Sequence, residues 1–278
     1  MLAIKVWLDE AQIQLNNSFI YSARLDAELM LAFALVKNRT YLHAHADDLI
    51  IDSDLHKVNL LLEKRLTHVP IAYIIGYKEF YGRQFSVTPN TLIPRPESEV
   101  IIEVLKDIFI KSRFDSRNKI RLFDIGTGSG CLGITAKLEF PVLDVTLCDI
   151  SSSALKVASE NAKKLLAKVS ITKNDLLKDI KLHPDIIIAN LPYVDKNWER
   201  SKETNYEPPL ALFATNGGKS LIKRLLIESV KIIRFGGYVI IEADPMQHIP
   251  LIKFAKKMSL DLAYEIDYII AFKRTKTT

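Results

Sequence analysis

The stretch Phe123-Asp124-Ile125-Gly126-Thr127-Gly128-Ser129-Gly130 carries the strongest indication of fold class in the chain. Upstream, Arg121–Ile125 reads as a buried strand, and downstream Gly133–Glu139 as a helix. Glycines at alternate positions between a strand and a helix let the backbone turn sharply. They also let a ligand approach main-chain N–H groups without interference from Cβ atoms. The spacing is not the dinucleotide pattern G-x-G-x-x-G, because the third glycine comes one residue early. Asp124, two residues before the first glycine, would repel a pyrophosphate but suits a cationic amino-acid head. A second carboxylate, Asp149, ends the run Asp144–Asp149. Open α/β sheets place there the acid that takes the two hydroxyls of a ribose.

Beyond Asp149, strand and helix patterns keep alternating. Ser152–Leu166 is a helix opened by serines, and Asp185–Ala189 is a strand containing Ile186-Ile187-Ile188. Leu221–Ile233 is a helix, followed by Gly236-Gly237 and the strand Tyr238–Glu242. Such alternation implies a doubly wound, mostly parallel α/β sheet. The late runs Leu260–Tyr264 and Tyr268–Phe272 suit an antiparallel pair at its edge.

Upstream the pattern differs. Ile4, Trp7, Leu8, Ile13 and Leu15 fall at helical spacing, and Leu25–Leu35 and Leu55–Leu66 are rich in helix formers, which predicts a bundle of about four helices. From Tyr73 to Val87 aromatic and β-branched residues dominate, punctuated by Gly76 and Gly82, as in a β-hairpin. Pro89, Pro94 and Pro96 stiffen the segment beyond Val87. The expected division is a helical domain over 1–72, a hairpin and proline-rich linker over 73–95, and the α/β domain over 96–278.

Composition narrows the class. With 278 residues, 48% hydrophobic and 26% charged, the chain has ample material for packed cores and is not a disordered protein. Leu29–Val36, the longest apolar run, is far below the roughly 20 residues of a membrane span. The acidic pair Asp9-Glu10 is unlike a signal peptide. Cys131 and Cys148 make no disulfide framework and read as buried hydrophobes of a reducing cytoplasm. His43 and His45 lack a third ligand, so no metal is expected. Trp7 and Trp198 read as packing or rim residues. Net charge is +5; residues 1–80 hold eight Lys/Arg against ten Asp/Glu, so the positive excess lies downstream, without an arginine-rich block.

Asn190-Leu191-Pro192-Tyr193 directly follows the strand ending at Ala189, at the sheet edge where open α/β folds bind ligands. Asn190 offers an amide acceptor and donor, Pro192 rigidifies the turn and Tyr193 offers a flat face, a set that can hold a planar NH2 group. With the glycine loop and Asp149, the pattern resembles the S-adenosylmethionine site of class I methyltransferases, with a seven-stranded sheet. The tetrapeptide resembles the Asn-Pro-Pro-Tyr motif of enzymes that methylate amide or exocyclic amino nitrogens. It is also similar to the motif of ribosomal-RNA adenine dimethylases, which leaves two substrate classes open.

The linker separates them. Arg65-Leu66-Thr67-His68-Val69-Pro70 through Gly76, then Phe80-Tyr81-Gly82-Arg83-Gln84-Phe85, then Ile93-Pro94-Arg95-Pro96-Glu97-Ser98-Glu99 are similar nearly position for position to the release factor glutamine methyltransferases. Asn205-Tyr206-Glu207-Pro208 and Asn216-Gly217-Gly218 match further landmarks of that family.

The resemblance implies transfer of a methyl group from S-adenosylmethionine, leaving S-adenosyl-L-homocysteine. The acceptor would be the side-chain amide nitrogen (N5) of the glutamine in the Gly-Gly-Gln motif of class I peptide chain release factors, a step of translation termination. It further implies that Asp124, Gly126, Thr127, Gly128, Ser129, Gly130, Asp149, Asp175, Leu176 and Asn190 bind the cofactor. Asn190, Leu191, Pro192, Tyr193 and Arg95 would bind the substrate, the first four forming the catalytic turn. Tyr73, Phe80 and Phe85 are candidates for the substrate groove, with hairpin packing as the other reading.

Leu191 departs from the family proline. The main-chain carbonyl that would accept from the substrate survives, while the fixed φ of proline is lost, so activity with looser preorganisation is expected. Leu176 stands where relatives often carry an aromatic, so adenine contact there would be apolar. A cytoplasmic monomer with no stable nucleic-acid partner and no membrane association is expected. The competing readings are an adenine-N6 methyltransferase on RNA or DNA, and a non-catalytic adaptor.

Overall fold

The computed structural model describes residues 2–111 and 119–275. The chain divides into two compact units: residues 1–77 with 200–206, and residues 78–199 with 207–278.

The first unit holds α1 (Ile4–Asn17), α2 (Ala23–Leu35), α3 (Arg39–Ala44), α4 (Asp52–Leu66) and α5 (Ile71–Ile75). The strand pair β1 (Leu2–Ala3) and β2 (Leu49–Ile50) is antiparallel. Ile4, Trp7, Leu8, Ala11 and Leu15 form one face of α1, meeting Ala23, Ala27, Met30, Leu31 and Ala34 of α2 in a shared core with Val58 and Leu62 of α4. The two-residue strands were not expected, since they are too short to carry an alternation. Arg65 is 1% exposed and donates to Asp26 at 2.7 Å, to the Val69 carbonyl at 3.1 Å and to Glu203. Burial pushes the Asp26 carboxyl up, and the adjacent guanidinium opposes that shift.

The hairpin is shorter than the sequence suggested. Ile71–Ile75 closes into one helical turn after Pro70, and Gly76 ends it at φ +83°. Strands β3 (Tyr77–Phe80) and β4 (Arg83–Ser86) come next. Phe80 and Phe85 meet edge to face at 6.2 Å and are almost fully buried. They are core residues and do not line a groove.

The second unit continues through α6 (Val100–Lys111), β5 (Ile120–Ile125), α7 (Cys131–Glu139), β6 (Leu143–Asp149), α8 (Ser152–Lys164), β7 (Ser170–Lys173) and β8 (Ile186–Ala189). Then come α9 (Pro209–Leu212), α10 (Ser220–Ile232), β9 (Tyr238–Glu242), α11 (Pro245–Lys256), β10 (Leu260–Ile266) and β11 (Ile269–Arg274). The seven strands lie in the order β10-β11-β9-β8-β5-β6-β7. Neighbours from β9 to β7 pair in parallel, and β11 runs antiparallel to both β9 and β10. This is a mostly parallel, doubly wound sheet with the expected antiparallel edge. The central strands β8 (Ile186-Ile187-Ile188-Ala189) and β9 (Tyr238-Val239-Ile240-Ile241-Glu242) are nearly continuous apolar runs because helices cover both faces.

Strand β5 pairs with β6 on one side and β8 on the other. The connections leaving β5 and β8 therefore part at their C-terminal ends, opening the crevice in which such sheets bind ligands. Helix α11 was not expected. Pro250 interrupts its pattern, but Pro245 at its first turn and a reciprocal cap between Asp244 and Gln247 start it firmly.

Candidate active site

The crevice is walled by the glycine loop after β5, the end of β6, the stretch after β7 and the turn after β8, with residues 90–95 and 208–211 at its side. Gly126 and Gly128 adopt φ +72° and +56°, so the loop needs residues without a Cβ. Asp124 lies beneath the loop and does not line the crevice. It is 0% exposed, and its Oδ2 accepts from Thr127 Oγ1 at 2.5 Å and from the Gly133 N–H at 2.9 Å. Burial raises its carboxyl to about 6, and the two hydrogen bonds oppose that rise. Oδ1 has no partner, and neither does the buried Ser129 Oγ above. The expected ligand contact of Asp124 thus becomes a brace: the carboxylate ties the loop to the first turn of α7. Gly133 is required for this, since a Cβ there would sit 2.8 Å from Asp124 Oδ2.

Asp149 does face the crevice. Its oxygens accept the N–H groups of Gly128 at 2.9 Å and Ser151 at 2.8 Å, which fixes the carboxylate while leaving lone pairs for hydroxyl donors. Burial pushes its carboxyl up against those bonds. Thr127, Ser129, Leu176 and Asp175 also line the wall. Asp175 is already held by Arg224 through two bonds of 2.9 and 2.8 Å, so its side chain serves the rim. Gly130 shapes the loop at φ +83° behind the lining.

The turn after β8 is held from below. Asn190 Nδ2 donates to Ser98 Oγ at 3.0 Å and to Glu242 Oε2 at 2.9 Å. Tyr193 donates its hydroxyl to Glu242 Oε1 at 2.9 Å, and Ser98 donates to Oε2. Asn190 Oδ1 therefore remains as an acceptor for a ligand. Tyr193 is oriented inward, its phenol pushed up by burial and by the Glu242 charge, and it does not line the crevice. The Tyr193 carbonyl accepts from Gln247 Nε2 at 2.9 Å, and the same nitrogen donates to the Gly217 carbonyl at 2.8 Å. Leu191 is 4% exposed and packs over the glycine loop; a Cβ on Gly126 would lie 2.8 Å from its Cδ2. Pro192 lines the mouth.

Arg95, expected to touch substrate, lines the crevice and is also paired with the buried Glu207, whose other oxygen accepts the Ile93 N–H at 3.1 Å. The guanidinium clamps the Pro94-Arg95-Pro96 segment to Glu207-Pro208 at the edge of the crevice. Glu242, Ser98 and Gln247 were missed as site residues. The available signal was a glutamate ending the apolar run Tyr238–Ile241 at the ligand-binding edge of the sheet. Burial pushes the Cys131 and Cys148 thiols up to about 12, so neither carries an appreciable thiolate fraction at neutral pH. Among the described residues no three His, Cys, Asp or Glu side chains cluster to hold a metal, and no helix is long and apolar enough to cross a membrane.

Two family models match: the PrmC N-terminal domain over residues 6–76 and the methyltransferase small domain over residues 102–205. The release factor glutamine methyltransferase of Koribacter versatilis (strain Ellin345) is 35% identical over 262 residues, covering 89% of this chain and 90% of that protein. The bifunctional methyltransferase of Rickettsia bellii (strain RML369-C) is 33% identical over 96% of this chain, which spans 52% of that longer protein. Among solved structures, a methyltransferase from Pyrococcus furiosus shares the fold, with a TM-score of 0.53 at 16% identity over 72% of this chain and 92% of that one. With its sheet, its paired family domains and a relative matched nearly end to end, the chain belongs to the release factor glutamine methyltransferase family.

Proposed function

We propose that this chain transfers a methyl group from S-adenosylmethionine to the side-chain amide nitrogen of the glutamine in the Gly-Gly-Gln motif of class I release factors. The observation that carries the reading is the Asn190 amide, locked by Ser98 and Glu242 so that its Oδ1 is left to accept from an incoming NH2.

The crevice suits the cofactor. Asp149, fixed by two N–H groups, fits ribose hydroxyls; the Gly126–Gly130 loop fits a small polar tail; and Leu176 with Ile150 offers an apolar wall for a base. The unpartnered Ser129 Oγ adds a hydroxyl to the loop wall. When bound, S-adenosylmethionine supplies a methyl already activated on a sulfonium.

The protein's task is then placement. An amide nitrogen is a poor nucleophile, and positioning supplies roughly 7–11 kcal/mol of such a barrier. Asn190 Oδ1 and the Leu191 carbonyl would accept the two N–H bonds of the substrate, favouring the positive charge that builds on nitrogen. The carbonyl at 191 serves this role whether the residue is proline or leucine, and burial of Leu191 over the loop replaces part of the rigidity of proline. The displaced proton leaves to solvent, so no strong base is required. Asp124, Gly130, Tyr193, Asp175 and Arg95 support the walls rather than touch the reacting atoms. The helical unit is assigned recognition of the release factor body. The same reading has the chain working as a cytoplasmic monomer without a stable nucleic-acid partner.

The test is incubation of the purified chain with labelled S-adenosylmethionine and a class I release factor, beside the same factor with its Gly-Gly-Gln glutamine changed to alanine. Label on the unaltered factor alone is expected. Equal label on both, or label on neither, contradicts the proposal.

A further inference from the structure

We infer that Glu242 is a positioning residue that decides which end of the Asn190 amide faces the crevice, and so sets the site for substrates that bring an NH2 group. This rests on the reading of Asn190 Oδ1 as the acceptor for the substrate amide.

Glu242 ends β9 and is 1% exposed. Three side chains converge on its carboxylate and all three donate: the Ser98 hydroxyl and Asn190 Nδ2 to Oε2, and the Tyr193 hydroxyl to Oε1. Both oxygens act as acceptors in these bonds, so the Asn190 group beside Oε2 is the NH2. Turning the amide over would bring Asn190 Oδ1 against Oε2, two acceptors with no proton between them. Ser98 reinforces the choice. Its single proton is committed to Glu242, so toward Asn190 its oxygen only accepts, at 3.0 Å.

A carboxyl group at this depth has a desolvation cost that an apolar packing residue would avoid. Burial pushes the Glu242 carboxyl up, while the Ser98, Tyr193 and Asn190 donors pull it back. Glu242 does not line the crevice, so its influence on a ligand passes through Asn190. Were the amide reversed, the crevice would present an NH2 to a substrate NH2, a donor facing a donor.

Glu242→Gln conserves shape and removes the all-acceptor character. The glutamine NH2 has to face either Tyr193 or the Asn190–Ser98 pair, and facing the pair lets the Asn190 amide reverse. Two readouts apply to the full chain. The first is hydrogen exchange of the Asn190 side-chain NH2, followed by NMR on 15N-asparagine-labelled protein and assigned by its loss in Asn190→Asp. The second is steady-state kinetics.

The wild-type NH2 is expected to be protected and the Glu242→Gln NH2 to exchange about tenfold faster or more, as a group released from two buried acceptors. We expect kcat to fall about 10²–10³-fold, the scale of losing one oriented group in an active site. The KM for S-adenosylmethionine should move less than about twofold. Ser98→Ala keeps the carboxylate, so Asn190 is expected to stay protected and kcat to fall less than about tenfold.

Glu242→Met, which offers Asn190 no acceptor at all, closes the case in which the glutamine NH2 turns to Tyr193, and unchanged exchange and kcat in both variants overturn the inference. A raised KM with kcat intact overturns it too, since that pattern marks general packing. If Glu242→Gln does not fold, Ser98→Ala decides: loss of Asn190 protection there assigns orientation to Ser98 and overturns the role of Glu242. If the wild-type chain transfers no methyl to a release factor, the substrate reading fails by itself, and the exchange comparison still judges Glu242.

Discussion

Replacing Gly218 by alanine probes the catalytic turn from outside its own sequence. Gly218 adopts φ +76°, and a Cβ there would lie 1.8 Å from the Tyr193 carbonyl oxygen and 2.4 Å from Gln247 Nε2. The positive φ alone costs roughly 1–2 kcal/mol. The clash is well over ~1 Å short of an ordinary non-bonded contact, and its partner is backbone, so the turn itself has to move. That movement also breaks the 2.9 Å bond from Gln247, leaving a carbonyl unsatisfied at about 1–3 kcal/mol. Misplacing a reacting group by ~1 Å can cost about 100-fold in rate. We therefore expect kcat for methyl transfer to a release factor to fall about 100-fold, and the melting temperature to drop on the order of 10 °C. Affinity for S-adenosylmethionine by calorimetry should change little, because the glycine loop and Asp149 are untouched. Gly236→Ala is the control: its φ is +80°, but its Cβ would meet nothing within 4 Å. It should lose a similar strain energy without losing rate. Near-normal kcat in Gly218→Ala, or equal loss in both variants, would refute the coupling between Asn216-Gly217-Gly218 and the turn.

Asn190→Ala should lose most of the transfer rate, about 10²–10³-fold, while cofactor affinity weakens less; rate assays with parallel calorimetry separate the two. Arg65→Ala leaves the Asp26 carboxylate buried without its cation and should destabilise the helical unit by about 3–5 kcal/mol in urea unfolding. Asp26→Asn/Arg65→Met, which removes both charges, should recover much of that loss. For Asp124, whose carboxyl is raised to about 6, the folded chain holds a proton that the unfolded chain releases near 3.8. Its contribution to stability is therefore complete below pH 3.8 and is lost as pH rises through about 6, a swing on the order of 2–3 kcal/mol. Asp124→Asn should flatten that segment of the stability–pH curve measured by urea titration; an unaltered curve would contradict the placement of its charge.

Local chemistry announced much of the molecule in advance. The glycine loop, Asp149 and the alternating elements after Lys119 were readable because a buried parallel sheet writes itself as short apolar runs separated by turn residues. The turn at Asn190 was readable because it directly follows such a run. What stayed hidden was long-range. Glu242 lies 52 residues from Asn190 and 144 from Ser98, and no spacing rule connects three residues that meet only when β8, β9 and the Pro96–Glu99 turn come together. Asp124 reads as a cofactor contact and Arg95 as a substrate contact, but sequence does not reveal which way a side chain turns. One faces Thr127 and Gly133 beneath the loop, the other Glu207. Helix α11 was masked by Pro250, which propensity penalises and tertiary packing tolerates. The hairpin begins later than the pattern from Tyr73 suggests because Tyr73-Ile74-Ile75 has high β propensity, which the flanking Pro70 and Gly76 override by closing a helical turn.

The decisive measurement locates the methyl group itself. A class I release factor treated with this chain and S-adenosylmethionine would be digested and its Gly-Gly-Gln peptide sequenced by tandem mass spectrometry. We expect one added methyl mass on the glutamine side chain, absent when Asn190→Ala replaces the wild-type chain. A methyl on another residue, or on nucleic acid carried with the factor while that glutamine stays unmodified, would contradict the assignment of the Asn190-Leu191-Pro192-Tyr193 turn to a protein amide.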